Sequence, residues 1–218
     1  MAPPLALAVL VSGAGTTLGA LATGIAAGTG PARIVLVVAD RPDAPAESVA
    51  ARHRLAYRVV PTRGRPASEW STELDLALRG AGAELVVLAG FRSILPAEWL
   101  ANWAGRTINV HPSLLPRHGG PGQYGRAVYE GILASGDRES GATVHLVTAA
   151  VDAGPILLQD RFALDLGETV ESLQTKTQAR ERALLAEVVR RFAEGRWRLP
   201  YGESVAGPRE TPRPAVRP

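Results

Sequence analysis

The chain has 218 residues, 46% hydrophobic and 21% charged, a balance typical of a globular protein with a substantial core. Its formal net charge is only +3, which disfavours a nucleic-acid-binding surface. It has no cysteine, which excludes disulfides and cysteine-ligated metals. No apolar run approaches the roughly 18 residues of a membrane helix, so we expect a soluble, cytoplasmic protein that binds neither membrane nor nucleic acid.

Strand-length runs of β-branched residues alternate with Ala- and Leu-rich segments, a pattern typical of βαβ units. The opening run "LALAVLV" lacks a basic leader and is interpreted as a strand rather than a signal peptide. The predicted strands are Leu5–Val11, Ile34–Ala39, Tyr57–Val60, Glu84–Ala89, Arg106–Val110, Ala142–Thr148 and Ile156–Leu164. The predicted helices are Thr16–Ala27, Pro45–His53, Ala67–Gly80, Pro96–Trp103, Gln123–Ala134 and Glu168–Glu194.

This order of elements predicts a doubly wound α/β fold, with helices on both faces of a mostly parallel sheet. Residues 1–206 are expected to form a single domain. Residues 207–218 are rich in proline and almost devoid of apolar side chains, which predicts a disordered tail.

A glycine turn, "SGAGTT", joins the first strand to the first helix. Backbone N–H groups at a helix N-terminus attract anions and small residues let them approach, so Gly13, Gly15, Thr16 and Thr17 are candidate phosphate ligands. The same residues would also suit a tight connection in which Thr16 caps the helix. The turn alone leaves both interpretations open.

The second strand ends in Asp40, where dinucleotide-binding enzymes place the acid that binds a ribose. A nicotinamide-dependent oxidoreductase is therefore a rival hypothesis. The spacing Gly13-x-Gly15-x-x-x-Gly19 differs from the dinucleotide fingerprint by one residue, however, and the turn lacks the lysine of a P-loop.

The fifth strand runs into "INVHPSLLP". Asn109 and His111 are separated by one residue, so both side chains leave the same face if the strand persists. An amide can hold a developing oxyanion, and a histidine can donate a hydrogen bond and change protonation near neutral pH. Pro112 and Pro116 stiffen the loop that follows. The alternative is a histidine that merely caps the strand end.

Two further polar residues occur in "GATVHLVTAAVDAGPIL". His145 lies on a strand of buried character, and Asp152 lies in a loop from which it could orient His111 or shuttle a proton. Taken alone, His145 is more typical of a hydrogen-bonded core histidine and Asp152 of a turn residue. The four histidines show no i, i+4 pair and have no cysteine beside them, so no metal site is predicted.

Several stretches, taken in order, resemble the blocks of the folate-dependent glycinamide ribonucleotide formyltransferases of purine synthesis. They are "VSGAGTTL", "LVVLAGFRSIL", "GRTINVHPSLLP", "SGATVHLVTAAVDAGPIL", and "QARE" followed by "RRFAEGR". The resemblance extends to about residue 199 and implies a formyltransferase-type, Rossmann-like fold. It also implies metal-free transfer of a formyl group from the cosubstrate 10-formyltetrahydrofolate to the amine of 5′-phosphoribosylglycinamide, by a monomer or homodimer.

Chain length favours this branch over methionyl-tRNA formyltransferase and formyltetrahydrofolate hydrolase, which carry an additional domain. Another formyltransferase or hydrolase that uses 10-formyltetrahydrofolate remains an alternative.

The resemblance implies residue roles as well. Asn109 and a protonated His111 would donate to the oxyanion, while Asp152 would support His111 and relay a proton. The glycine turn, with Gln178 and Glu181, would hold the phosphate and ribose of the ribonucleotide. The implied folate contacts are Arg92, Leu95, Val147, Thr148 and Asp152.

Three stretches depart from the family pattern. Thr17 replaces an asparagine that contacts phosphate in many members, although backbone donation is retained. Arg92, followed by Ser93, stands one position before the family's arginine. The stretch "RHGGPGQYG" is a glycine-rich variant of a mobile family loop, and the sequence assigns no role to its residues.

Overall fold

A computed structural model describes residues 3–28 and 30–201. In this part of the chain, seven strands form one sheet in the order β3-β2-β1-β4-β5-β6-β7. They are β1 Leu5–Val11, β2 Ala32–Ala39, β3 Tyr57–Val59, β4 Leu85–Leu88, β5 Thr107–His111, β6 Glu139–Leu146 and β7 Ile156–Ala163. The first five pair in parallel, whereas β6 and β7 run antiparallel to their neighbours.

Helices cover both faces of this sheet. They are α1 Thr16–Ala26, α2 Ala46–Arg52, α3 Ala67–Gly80, α4 Ala97–Asn102, α5 Arg126–Ala134 and α6 Val170–Ala193. One face is covered by α1, α2 and α6, which contribute residues such as Leu18 and Leu185 to its core. The other is covered by α3 and α4, with Trp70 and Trp99 in a second core. The predicted α/β fold with a mostly parallel sheet is therefore confirmed.

The central strands are apolar along their whole length because both of their faces are covered. In β1, every residue from Ala6 to Val11 is at most 2% exposed. Among the described residues, no helix has the length and apolar character needed to cross a bilayer.

The prediction for β6 was wrong at both ends. The strand begins at Glu139 rather than Ala142, because it pairs with β7 from Glu139 opposite Ala163 onward. It ends at Leu146, so Val147 and Thr148 lie in the loop that follows.

Helix α5 starts at Arg126 rather than Gln123, since Gly125 has a backbone conformation (φ 60°, ψ −136°) that no helix contains. The predicted tail, 207–218, lies outside the described residues.

The strand order reverses between β1 and β4, and open α/β sheets bind ligands outside the carboxyl ends of the strands at such a point. Here the turn after β1 contacts the loop after β4. The Ser12 backbone N–H donates to the Gly90 carbonyl at 3.2 Å, and the Arg92 N–H donates to Ser12 Oγ at 2.8 Å. The sheet topology thus brings two of the predicted ligand-binding segments together.

Candidate active site

The antiparallel pairing of β5 with β6 builds a polar cluster at the end of β5. Asn109 lies directly opposite His145 in the register, and its Nδ2 is 3.1 Å from His145 Nε2. Asp152 reaches both imidazoles, with Oδ2 3.6 Å from His111 Nδ1 and Oδ1 3.6 Å from His145 Nε2. The structure therefore brings Asn109, His111 and Asp152 together, as the resemblance implied.

Hydrogen-bond partners fix which ring nitrogen of each histidine carries hydrogen. His145 Nδ1 is 2.8 Å from the Leu146 carbonyl, which can only accept, so Nδ1 is protonated and Nε2 accepts from the Asn109 amide. His111 Nε2 is 2.8 Å from the His118 carbonyl and therefore carries its hydrogen there. Nδ1 of His111 faces Asp152.

Burial acts against a charge on either ring. It lowers the pKa of His111, although Asp152 works in the opposite direction, and it lowers the pKa of His145 for the same reason. His111 is only 3% exposed and His145 only 2%. The protonated His111 that the resemblance implied is thus disfavoured in the free chain.

The loop after β6 holds Asp152 in a left-handed backbone conformation (φ 55°). The Gly120 N–H donates to Asp152 Oδ2 at 3.0 Å. Gly154 lets the loop pack against β6, since a Cβ there would lie 1.9 Å from the Leu146 oxygen. The Asp152 carboxylate is therefore oriented by two backbone segments, its own loop after β6 and the Gly120 N–H in the loop after β5.

The proline-bounded loop after β5 is fixed by side chains of β6 and β7. Thr143 Oγ1 donates to the Ser113 carbonyl at 2.7 Å and accepts from the Leu115 N–H at 3.1 Å. Gln159 Nε2 donates to the Leu115 carbonyl at 2.8 Å. Sequence reasoning missed these anchors and the bond between Asn109 and His145, since both depend on how β5, β6 and β7 align.

The glycine turn has the geometry that the first helix requires. Gly15, not Thr16, is the N-cap, with φ 72°, and within the described residues no side chain caps this end of α1. A Cβ on Gly15 would lie 2.9 Å from the Ala46 Cβ. Gly13 to Thr17 therefore present a helix N-terminus whose first N–H groups have no intrahelical partner.

Asp40 is not placed to bind a ribose, the role that the oxidoreductase hypothesis gave it. It is 8% exposed, and its Oδ2 accepts from Ser12 Oγ at 2.6 Å and Ser93 Oγ at 2.8 Å. The carboxylate joins the ends of β1, β2 and β4 instead of lying open to a ribose.

The predicted folate residues lie around the loops after β4 and β6. Leu95 is 5% exposed in the core beneath α3 and α4, and Val147 packs against the same core. Arg92 and Thr148 are exposed. The apolar Leu95 and Val147 thus belong to the same two loops as the exposed Arg92 and Thr148, a combination that suits a ligand with an apolar ring and a charged tail.

On α6, Gln178 and Glu181 are both partly buried. Loss of hydration raises the pKa of the Glu181 carboxyl to about 8, and Arg182 offsets this only in part. One turn earlier, Thr177 Oγ1 is buried without a hydrogen-bond partner among the described residues. Within residues 3–28 and 30–201, no group of His, Cys, Asp or Glu side chains is suited to a metal ion.

Comparison with known proteins identifies the family of this chain. The family model described as "Formyl transferase" matches residues 5–189. A phosphoribosylglycinamide formyltransferase of Mycobacterium tuberculosis is 39% identical over 191 residues, covering 87% of this chain and 86% of the relative.

Two solved structures are similar over most of the chain. Glycinamide ribonucleotide transformylase 1 from Symbiobacterium toebii has a TM-score of 0.83 at 34% identity, covering 90% of this chain and 91% of that one. Formyltetrahydrofolate deformylase from Burkholderia mallei has a TM-score of 0.79 at 31% identity, covering 91% and 68%. This chain thus belongs to the formyl transferase family, in the branch of the phosphoribosylglycinamide formyltransferases.

Proposed function

We propose that this formyltransferase transfers the formyl group of 10-formyltetrahydrofolate to the amine of 5′-phosphoribosylglycinamide, a step of purine biosynthesis. The observation that carries this proposal is the convergence of an amide, an imidazole and a carboxylate at the end of β5. That trio supplies what formyl transfer between two nitrogens requires: an oxyanion donor, a site that takes up a proton, and a group that orients it.

The reaction begins when the free amine attacks the formyl carbon and forms a new C–N bond. The tetrahedral intermediate carries negative charge on oxygen and positive charge on the attacking nitrogen. A proton then leaves that nitrogen and reaches N10 of the folate. The C–N10 bond breaks, releasing tetrahydrofolate and the formylated amine.

Asn109 supports this route with its amide. One Nδ2 hydrogen is used on His145, which leaves the second hydrogen free to donate to the oxyanion. Because the Nε2 hydrogen of His111 is bound to the His118 carbonyl, His111 can reach the substrate only through Nδ1. Uptake of a proton at Nδ1 would make His111 a second donor, stabilised by Asp152 at 3.6 Å.

The ribonucleotide would lie between the glycine turn and α6. Backbone N–H groups of Gly13, Gly15, Thr16 and Thr17 would hold its phosphate, which compensates for the missing asparagine side chain at Thr17. Gln178 and Glu181 would bind the phosphate and the ribose hydroxyls. The folate would lie against Leu95, Val147, Thr148 and Asp152, with Arg92 near its glutamate carboxylates.

The direct test mixes the purified protein with 10-formyltetrahydrofolate and glycinamide ribonucleotide and follows the release of deformylated folate by absorbance. We expect release only when the ribonucleotide is present. Release at the same rate without it would show hydrolysis, the second candidate, which the similarity to the deformylase favours.

Asn109→Ala and His111→Ala test the assigned roles. Each should lower kcat by about 10²–10³, since that is the usual cost of losing one oxyanion donor, while the thermal unfolding profile stays cooperative. Asn102→Ala and His53→Ala are matched controls away from the cluster and should turn over like the parent. Parental turnover in Asn109→Ala or His111→Ala would refute the role of that residue.

A further inference from the structure

The glycine-rich loop after β5 contains one side chain, His118, that is firmly held yet has no role in the reaction described above. Its Nε2 is 2.7 Å from Asp137 Oδ2. Asp137 lies in the turn between α5 and β6 and also pairs with Arg117. The side chains of His118 and Asp137 are 16% and 10% exposed, so this is a shielded hydrogen bond and not a loose surface contact.

The backbone of His118 connects this hydrogen bond to the polar cluster. Its carbonyl accepts from His111 Nε2 at 2.8 Å and from Ser113 Oγ at 3.4 Å. Two residues later the Gly120 N–H binds Asp152. One short stretch of chain thus contacts both members of the His111–Asp152 pair.

The local conformation of this stretch requires an anchor. His118 has φ 54°, in the left-handed region that is unfavourable for a residue with a Cβ. Gly119 packs closely beside it, because a Cβ there would lie 2.4 Å from the Leu115 Cδ2. The bond to Asp137 offsets the cost at His118 and keeps the carbonyl pointing at His111.

We propose that His118 is a positioning residue: anchored by Asp137, it presents its own carbonyl to His111 and thereby fixes the neutral His111 with hydrogen on Nε2 and a free Nδ1 facing Asp152. The inference rests on the proposed function for its catalytic consequence, but the hydrogen position itself can be measured without substrate. Without the anchor, the carbonyl is free to rotate away. His111 then gains access to the other tautomer, in which Nδ1 already carries hydrogen and can no longer take up a proton from the reaction.

The test uses variants on both sides of the His118–Asp137 hydrogen bond. Asp137→Ala removes the anchor and also the partner of Arg117, whereas His118→Ala removes the anchor and leaves the Arg117–Asp137 pair in place. Asp137→Asn and His118→Gln each retain a hydrogen-bonding group at the contact and serve as conservative rescues. Glu139→Ala is the control, since it deletes a nearby exposed carboxylate that pairs only with Arg161 among the described residues.

The readout that a merely structural role would not move is the ¹⁵N chemical shift of the two His111 ring nitrogens, measured by long-range ¹H–¹⁵N correlation on the intact protein. We expect hydrogen on Nε2 in the parent, the control and both rescues, and a shift toward Nδ1 in both alanine variants. In turnover, the alanine variants should lose about 10–100-fold in kcat with KM nearly unchanged, the range known for partners that orient metal-ligating histidines in other proteins.

Unchanged His111 shifts in Asp137→Ala would overturn the inference, and so would altered shifts with parental kcat. If His118→Ala fails to fold, Asp137→Ala and the two rescues decide the question. A parent that transfers no formyl group would refute the proposed function, whereas the ring shifts would still show whether His118 sets the tautomer.

Discussion

Glu181, which is partly buried on α6, is a single carboxyl whose protonation is set by loss of hydration. Its pKa is raised to about 8 by loss of hydration, and among the described residues it makes no hydrogen bond or ion pair. Burial, and then the Glu181 charge, raises the pKa of the nearby Tyr129 phenol. At neutral pH Glu181 is therefore mainly a neutral acid, which can both donate and accept a hydrogen bond, as the proposed contact with a ribose hydroxyl requires.

This pKa makes a testable contribution to stability. Because the folded-state pKa is above the usual value of 4.5 for a glutamate carboxyl, the folded protein holds a proton that the unfolded chain releases. The contribution is fully present below about pH 4.5 and is lost as pH rises toward 8, at up to about 1.4 kcal/mol per pH unit. Glu181→Gln should remove that slope from the free energy of unfolding.

Urea unfolding at pH 5, 6, 7 and 8 measures this, with Glu171→Gln as the control on the same helix. Glu171 is exposed and its pKa is lowered by Arg126, so its replacement should leave the slope in this range unchanged. If the free energy of unfolding changed with pH in the same way in the parent and in Glu181→Gln, the raised pKa of Glu181 would be contradicted.

At the scale of secondary-structure elements, Asp40 joins the carboxyl ends of three strands. Its Oδ2 accepts from Ser12 after β1 and from Ser93 after β4. Ser93 Oγ also lies 2.7 Å from Thr62 Oγ1, in the segment after β3. Ser93 stands where the family pattern has its arginine, so this chain uses that position to connect loops.

Asp40→Ala should therefore loosen both the glycine turn after β1 and the loop after β4. We expect higher KM values for both substrates and a loss of about 1.5–3 kcal/mol in the free energy of unfolding, the usual range for a hydrogen bond to a charged group. Asp40→Asn, which keeps an acceptor, should lose less, and the exposed Asp43→Ala should match the parent. A change in the KM of only one substrate would contradict the idea that Asp40 holds both loops.

The elements were predictable because each has a strong local pattern, whereas the contacts between them were not. β1 matched its prediction because a central strand covered on both faces is apolar throughout. β6 did not, since its start is fixed by pairing with β7, which lies beyond it in the chain. Likewise, the shared face of Asn109 and His111 followed from strand periodicity, but the contact of Asn109 with His145 depends on the antiparallel register.

At the scale of the whole molecule, the segment after α6 packs near the start of β5, the strand that carries Asn109 and His111. After α6, Trp197 packs edge-on against Phe192 at 5.3 Å and against Tyr201 at 5.6 Å between ring centroids. The Tyr201 N–H donates to the Gly105 carbonyl at 2.8 Å, just before β5 begins. β5 is thus held at its start by this aromatic cluster and at its end by the polar cluster.

Trp197→Ala should therefore destabilise the protein without altering the chemistry. Trp197 is only partly buried, so we expect a loss of about 2–3 kcal/mol, below the 3–5 kcal/mol of a fully buried aromatic. Turnover at 25 °C should stay parental, because β5 separates the two clusters. Urea unfolding and kcat measure the two effects, with the fully exposed Leu166→Ala as the control for stability. A parental midpoint would show that the cluster does not hold β5, whereas a fall in kcat with stability retained would mean that the cluster shapes the active site directly.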